Sequence, residues 1–578
     1  MSTRKIASSR ALLLPPLFTA GLVAFALYQP VRQNPRLLCS VVGTGAVLLA
    51  WNGVLLVSAL RNLRVLRLEI ALRPQHYVQA CAHTAIFLYW GWYWRPVYES
   101  AHLIFAQLFF AYAFDMLLGW SRRDTYALGF GPLPIILSTN LFLWFKQDWF
   151  YLQFVMIAVG FAAKEFIRWN KDGRETHIFN PSSFTLTIFS VALILSGASD
   201  ITWGQDIAIT QFYPPHIYLF LFLVALPGQF LFGVTTMTMS AVLTTYLFGL
   251  AYYAISGTYY FFDSYIPIAV FLGMHLLFTD PSTSPRTELG RVIFGVLYGL
   301  STIALYALLR IAGLPAFYDK LLQVPLLNFL IQSIDGVVRS RSLRRFDPAL
   351  IGRSLSGRTR NLAYISVWAI VFAIMTAAQG VGDHHRGQWI PFWQHACEQD
   401  RGDACRYLAL LHTNYCRANS GWSCNELGRL QAQQNNRTVA RESLQRGCEL
   451  GFQPACVNLA NVTSGNRLAT APPPLEELPI LLRGSKAPIT DWSAASLYRR
   501  ACDQGWPGSC GRQSDQENPI HRPPMPTPDH SKTETTATSL LQSGPTRPSP
   551  AKVTFRRTVN VKTSARSNDV IFTAKAGL

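Results

Sequence analysis

Charge is scarce in this chain. Only 14% of its 578 residues are Asp, Glu, Lys or Arg, against about 25% in soluble domains, which argues against a solvated globular fold over the whole length. Acid is scarcer than base: 32 Asp and Glu stand against 51 Lys and Arg, a formal charge of +19. The signatures of soluble nucleotide chemistry are missing. No G-x-x-x-x-G-K-[ST] loop and no G-x-G-x-x-G turn occurs, so the usual backbone cradles for NTP and NAD are excluded. There is no nucleophile triad, and without C-x-x-C-H there is no haem attachment signal. Cysteine is nearly absent from the first 396 residues, which hold only Cys39 and Cys81.

What fills the first two thirds instead is apolar sequence. Runs of 14 to 24 mainly hydrophobic residues recur, as in a polytopic membrane protein. They predict about thirteen spans, at 11–28, 37–60, 77–94, 101–120, 126–145, 150–163, 182–195, 217–234, 236–254, 265–278, 292–311, 321–338 and 362–378. Lys and Arg of short loops stay cytoplasmic. The N-terminus and the even-numbered loops carry 22 cations and the odd-numbered loops 6. The expected topology therefore has a cytoplasmic N-terminus, an odd number of spans and an exterior C-terminal third. The same asymmetry accounts for much of the basic surplus, so the partner it implies is a lipid bilayer and not nucleic acid. The first span has a basic flank but no small-residue cleavage site, and reads as a signal anchor of an integral inner-membrane protein.

Eight cysteines follow the last span as four pairs of one spacing: Cys397 and Cys405, Cys416 and Cys424, Cys448 and Cys456, Cys502 and Cys510. On one helix, residues eight apart lie about 12 Å apart along the axis, too far for a disulfide. Bridging them requires the chain to fold back, and Gly402, Gly421, Gly451 and Gly505 fall inside the intervals. Four bridged helix hairpins in an oxidising compartment follow; structural zinc is the alternative. At "ACEQDRGDAC", "GCELGFQPAC" and "ACDQGWPGSC" the sequence resembles cysteine-rich Sel1-like repeats. That resemblance implies stacked α/α hairpins that dock an exterior protein partner; a stapled spacer is the plainer alternative. Beyond Arg512 a Pro, Ser and Thr-rich tail is expected to be disordered, with "KVTFRRTVNV" alternating like a strand inside it.

Two polar breaks interrupt the apolar part. In "THIFNPSSFTLTIF" Asn180 is a favourable N-cap and Pro181 suits the first helical turn, so Ser182 and Ser183 open a helix at the expected inner face. Such a helix start suits an anion. In "FTDPSTSPRTELGRVIFG" Thr279, Asp280 and Pro281 follow one span, and Gly290 and Arg291 precede the next. Paired breaks on one side suggest a common site; simple capping of two helices is the alternative.

"HIFNPSSF" followed by "FTDPSTSPRTELGRVIFG" resembles the NqrB/RnfD family of membrane subunits of ion-coupled electron-transport complexes. The similarity extends over about 77–312. It implies FMN, attached to a Thr in a D-G-x-S-G-A-T-like motif, electron transfer coupled to Na+ or H+ movement, and other membrane subunits as partners. The fold is shared with urea-transporter-like proteins. The nearest string here is "LILSGASD", in which Ser199 takes the attachment position but Leu193 stands where Asp is expected. That departure fits a divergent branch such as the UnbU-like membrane proteins.

Of the ionisable residues at membrane depth, His83, His102, Asp115 and His275 are functional candidates by default. Asp115 is the costliest to bury and the candidate for ion coupling, with a hydrogen-bonded pair between helices as the alternative. The expected architecture is an all-α polytopic membrane protein. Additional helices occupy 1–76, an NqrB/RnfD-like core 77–312, further spans with an Arg-rich loop 313–380, Sel1-like repeats 381–512 and a disordered tail 513–578. The resemblance implies a flavin-linked electron-transport subunit as the expected function, with a solute or ion transporter on the same scaffold and a noncatalytic assembly protein as the alternatives.

Overall fold

The computed structural model describes residues 4–6 and 12–517, apart from 172, 263, 351–353 and 483–488. Most of the expected tail, with its strand-like "KVTFRRTVNV", lies outside the described residues. Among the described residues seven helices are long and apolar enough to cross a membrane: Pro35–Arg61, Ala101–Arg122, Gln147–Phe166, Thr235–Ser256, Glu288–Ile311, Ala316–Val338 and Gly357–Ala377. Four shorter apolar helices, Leu14–Leu27, Pro181–Ser196, Ile217–Phe232 and Ile268–Leu277, accompany them. Of the thirteen expected spans, those seven are the ones long and apolar enough to cross a membrane. The stretch 126–145 departs most: it divides into a strand Thr125–Leu128, a nine-residue helix Pro132–Asn140 and non-helical chain to Phe145. Gly129, Gly131, Pro132 and Pro134 explain the division, because glycine and proline do not support a continuous helix.

The fold is also not purely α. Arg4–Ile6 pairs antiparallel with Arg67–Ile70, which pairs parallel with Thr125–Leu128. A second hairpin joins Arg168–Lys171 to Arg174–His177. Helices Leu14–Ala24 and Pro35–Arg61 pack on Ala101–Arg122 around their own hydrophobic cluster, apart from the main core.

One order of five helices occurs twice. The first set is Pro74–Tyr93, Ala101–Arg122, Pro132–Asn140, Phe150–Phe166 and Pro181–Ser196; the second is Ile217–Phe232, Thr235–Ser256, Ile268–Leu277, Glu288–Ile311 and Gln323–Val338. The third member is short in both. The leading helices meet through the Tyr89 and Phe220 rings, with centroids 4.4 Å apart. The closing helices meet where the Thr187 hydroxyl donates to the Leu321 carbonyl at 2.6 Å. The second set runs to Val338. Gly295 sets its tightest contact: a methyl group there would strike the Met237 carbonyl and the Ser240 hydroxyl of the neighbouring helix.

The last third forms the expected bridged hairpins. All four cystines are present, each joining the end of one helix to the start of the next, with Cα atoms 4.5 to 4.8 Å apart. Each closes a loop of about nine residues, worth about 2.5 kcal/mol in the chain-entropy account. Gly402, Gly451 and Gly505 turn the chain with positive φ. Gly421 does not: Asn419 takes the left-handed turn, and Gly421 opens a helix packed against Phe452. The last helix, Pro507–Glu517, continues past Arg512.

These hairpins dock on the end of the membrane domain away from Arg286 and Arg291. Arg310, at the far end of helix Glu288–Ile311, pairs with Asp403. The Tyr407 hydroxyl donates to the Tyr260 carbonyl at 3.0 Å, and the His216 N–H donates to Asp383 at 2.7 Å. His385 is buried against the Tyr259 and Tyr265 rings, with centroids 4.3 and 4.8 Å away. Its Nδ1 accepts from the Gly387 N–H at 3.1 Å, which favours the neutral ring.

Burial pushes His385 down to about 3, and burial reinforced by Arg429 does the same to His412. Both folded values lie below the ordinary 6.5. The stability they lend is complete above that pH and is lost as the pH falls from it towards 3, at up to about 1.4 kcal/mol per pH unit for each. Thermal unfolding of the cystine domain is expected at lower temperature at pH 4.5 than at pH 7.5, with a smaller difference in His385→Gln. An equally steep pH profile in that variant would count against the assignment.

Candidate functional site

The sequence F-N-P-S-S builds a capped helix start. The Asn180 Oδ1 accepts from the N–H groups of Ser182 and Ser183 at 3.0 and 3.2 Å, and Pro181 has no N–H to satisfy. The Asn180 amide Nδ2 donates to the Leu277 carbonyl at 3.0 Å, at the end of the second short helix. From the first short helix, the Ser138 hydroxyl reaches the Ser182 hydroxyl at 2.6 Å. Asn180, Ser182 and Ser183 are all buried. This helix start therefore ties both short helices together.

The D-P-S-T-S-P turn closes the other side. Asp280 accepts from the Ser282 N–H at 2.9 Å and lies 3.3 Å from the His177 Nε2. Burial pushes its pKa up, but His177 and the Ser282 N–H outweigh that and hold it below the ordinary value. The Lys171 ammonium, in the same hairpin as His177, donates to the Ser284 carbonyl at 2.7 Å. Asn328 bridges the two breaks: its Oδ1 accepts from the Asn180 N–H at 3.2 Å, and its Nδ2 donates to the Thr283 carbonyl at 3.2 Å. Two turns further along the same helix face, Asp335 accepts from the Arg286 N–H at 3.0 and 3.1 Å. The two proline-marked segments thus form one junction.

A small cavity lies beside this junction. Its lining includes Gln79, Ala82, Gly228, Gln229, His275 and Thr279, and its volume is about 10 Å³, the space of about one water molecule. His275 sits in the π-helical turn Gly273–Leu277, a distortion frequent at functional sites. Its Nδ1 lies 2.7 Å from the Phe271 carbonyl. That contact assigns the proton to Nδ1 and leaves Nε2 a lone-pair acceptor. Among the described residues, Nε2 of His275 and both amide atoms of Gln229 are buried without a partner. Such atoms each cost about 1–3 kcal/mol when unsatisfied. The arrangement offers a small polar guest two acceptors and one donor. Thr279 links cavity and junction, lining the first and opening the second, with its hydroxyl on the His275 carbonyl at 2.9 Å.

Other sequence candidates lie elsewhere. Ser199 is beyond the opposite end of helix Pro181–Ser196, with its hydroxyl 2.8 Å from that of Tyr318. FMN attached there would have to replace the Ser199–Tyr318 hydrogen bond, and Gly197 close by in the chain stands in open space. Asp115 accepts from the Tyr126 hydroxyl at 2.7 Å and faces the Lys164 ammonium at 3.9 Å, in a separate interhelical pairing. His83 is buried with both ring nitrogens unpartnered, and His102 packs edge-on to Tyr28. Among the described residues no His, Cys, Asp and Glu cluster could hold a metal. Sequence reasoning missed Asn328, Asp335, His177 and Gln229 as site residues. Asn328 and Asp335 carried a signal, being seven apart on one face of an apolar helix.

Compared with protein-family models, curated proteins and solved structures, the chain finds no match.

Replacing Asn328 by Leu strands the Asn180 N–H and the Thr283 carbonyl. The expected loss is about 1–3 kcal/mol per stranded group, read as a lower unfolding temperature in detergent. Gln332, on the exposed side of the same helix, serves as control, and equal losses for Asn328→Leu and Gln332→Leu would contradict the bridge.

Proposed function

We propose that the membrane domain moves a small polar solute or ion, with His275 and Gln229 as its binding position and the Asn180–Asp280 junction as the gate on the cytoplasmic side. The observation that carries this reading is the set of unpartnered buried atoms, His275 Nε2 and the Gln229 amide, beside a broken helix. Buried polar groups in an apolar slab are costly unless a guest satisfies them. Broken helices at the meeting point of two repeats are where membrane carriers hold their cargo. On this reading the cation-rich loops are cytoplasmic, the cystine repeats face the exterior of an inner membrane, and an exterior protein docks on them.

A second reading is a subunit of an ion-coupled electron-transport complex on an NqrB/RnfD-like scaffold, with FMN and further membrane subunits. It is favoured by the meeting of the two motifs that carry that resemblance. Flavin absorbance in the purified protein separates it from the first.

The transport reading is tested in proteoliposomes by dye-reported H+ and Na+ uptake and by light-scattering uptake of urea and ammonium. Flux of one of these above that of empty liposomes is expected, falling at least tenfold in His275→Leu combined with Gln229→Leu. Background rates for all four, or a rate unchanged by the double substitution, would overturn it.

A further inference from the structure

The cystine domain holds a cavity of about 320 Å³ lined by Arg429, Arg437 and Arg467 together with Gln433, Asn466 and Thr470. That volume lies in the range of ligand sites, roughly 300–1,000 Å³. It opens between helices Gly421–Gln433 and Gln453–Ser464, the start of Arg437–Glu449, and the non-helical chain after Gly465. Two of the three guanidinium groups have no counter-ion among the described residues. Arg429 is oriented by an ion pair with the buried Glu426, but its Nε is buried without a partner. Arg437 and Arg467 are exposed, and among the described residues no ion pair or hydrogen bond engages either. Three cations thus converge on a space with Glu426 as the one paired carboxylate. Val462 and Leu468 give it apolar wall for a side-chain stem. The residues that dock the repeats on the membrane domain, His385, Asp403 and Tyr407, come from earlier hairpins and leave this cavity open.

We propose that this cavity binds the carboxylates of an acidic peptide segment of an exterior protein. The planar fork of arginine matches a carboxylate through two parallel N–H donors, and Gln433, Asn466 and Thr470 add neutral hydrogen bonds at the rim. The inference rests on the reading of the repeats as a docking module and deepens it by giving the partner's chemistry. A partner bound elsewhere on the repeats would leave that reading intact while this one failed.

The test is fluorescence anisotropy on the detergent-solubilised full chain. The probe is a fluorescein-labelled, end-capped hexapeptide alternating glutamate and alanine, with the glutamine counterpart as control. Saturable binding is expected that weakens at least tenfold in Arg437→Gln combined with Arg467→Gln, weakens with added salt, and is absent for the glutamine peptide. Both substituted side chains are exposed, so the variant should unfold at the wild-type temperature. Equal binding of the two peptides, no binding of either, or an affinity unchanged by the substitutions would overturn the proposal. Displacement by free succinate at the same concentration as unlabelled peptide would also overturn it, in favour of a small free anion.

Discussion

A helix that breaks among apolar neighbours leaves N–H and C=O groups with no water to receive them, and this protein meets that constraint with two asparagines. Asn180 caps its own helix and reaches the carbonyl at the end of the second short helix, while Asn328 holds the Asn180 backbone and the Asp280 turn together. Each bond is modest by itself, but leaving either side open costs the full desolvation of a buried group. The junction is thereby fixed in register, and the π-helical turn that carries His275 is held against it. What the junction leaves unsatisfied is as informative as what it satisfies: His275 Nε2 and Gln229 have no partner a few residues away from a network in which most polar atoms do.

The two ends of the membrane domain are built differently. One carries the arginine-rich loops, the small sheet and the junction. The other is covered by the cystine hairpins, whose His385, Trp393 and Tyr407 sit among the aromatic side chains of 253–265. Four short covalent loops stabilise these hairpins independently of any membrane, which suits a module that meets oxidising solvent. Their docking by ion pair and tyrosine hydroxyls couples the Arg310 end of helix Glu288–Ile311 to the repeats, while its other end anchors the Asp280 turn.

Sequence signals of local origin were legible. The eight-residue cysteine spacing encodes a turn between helices whatever surrounds it, and Asn-Pro-Ser-Ser encodes a capped helix start. Runs of apolar residues located most helices but not their lengths, because hydropathy does not distinguish a full span from the nine-residue Pro132–Asn140 followed by buried extended chain. Glycine and proline at 129–134 held that information. Long-range choices were not legible in the same way. Asn328 selects Asn180 over a hundred residues away, and Asp335 looked like a blemish in a span before Arg286 and Thr287 gave it partners. Gln229 lies in an otherwise apolar run, and only the fold brings it beside His275.

The most direct measurement is a density map of the protein in a lipid nanodisc at a resolution that shows ordered waters and ions. The account predicts a discrete peak within hydrogen-bonding distance of both the His275 Nε2 and the Gln229 amide, beside the Asn180–Asp280 junction. A closed, dry gap, with the Gln229 amide turned onto backbone groups and His275 capped by protein alone, would contradict it.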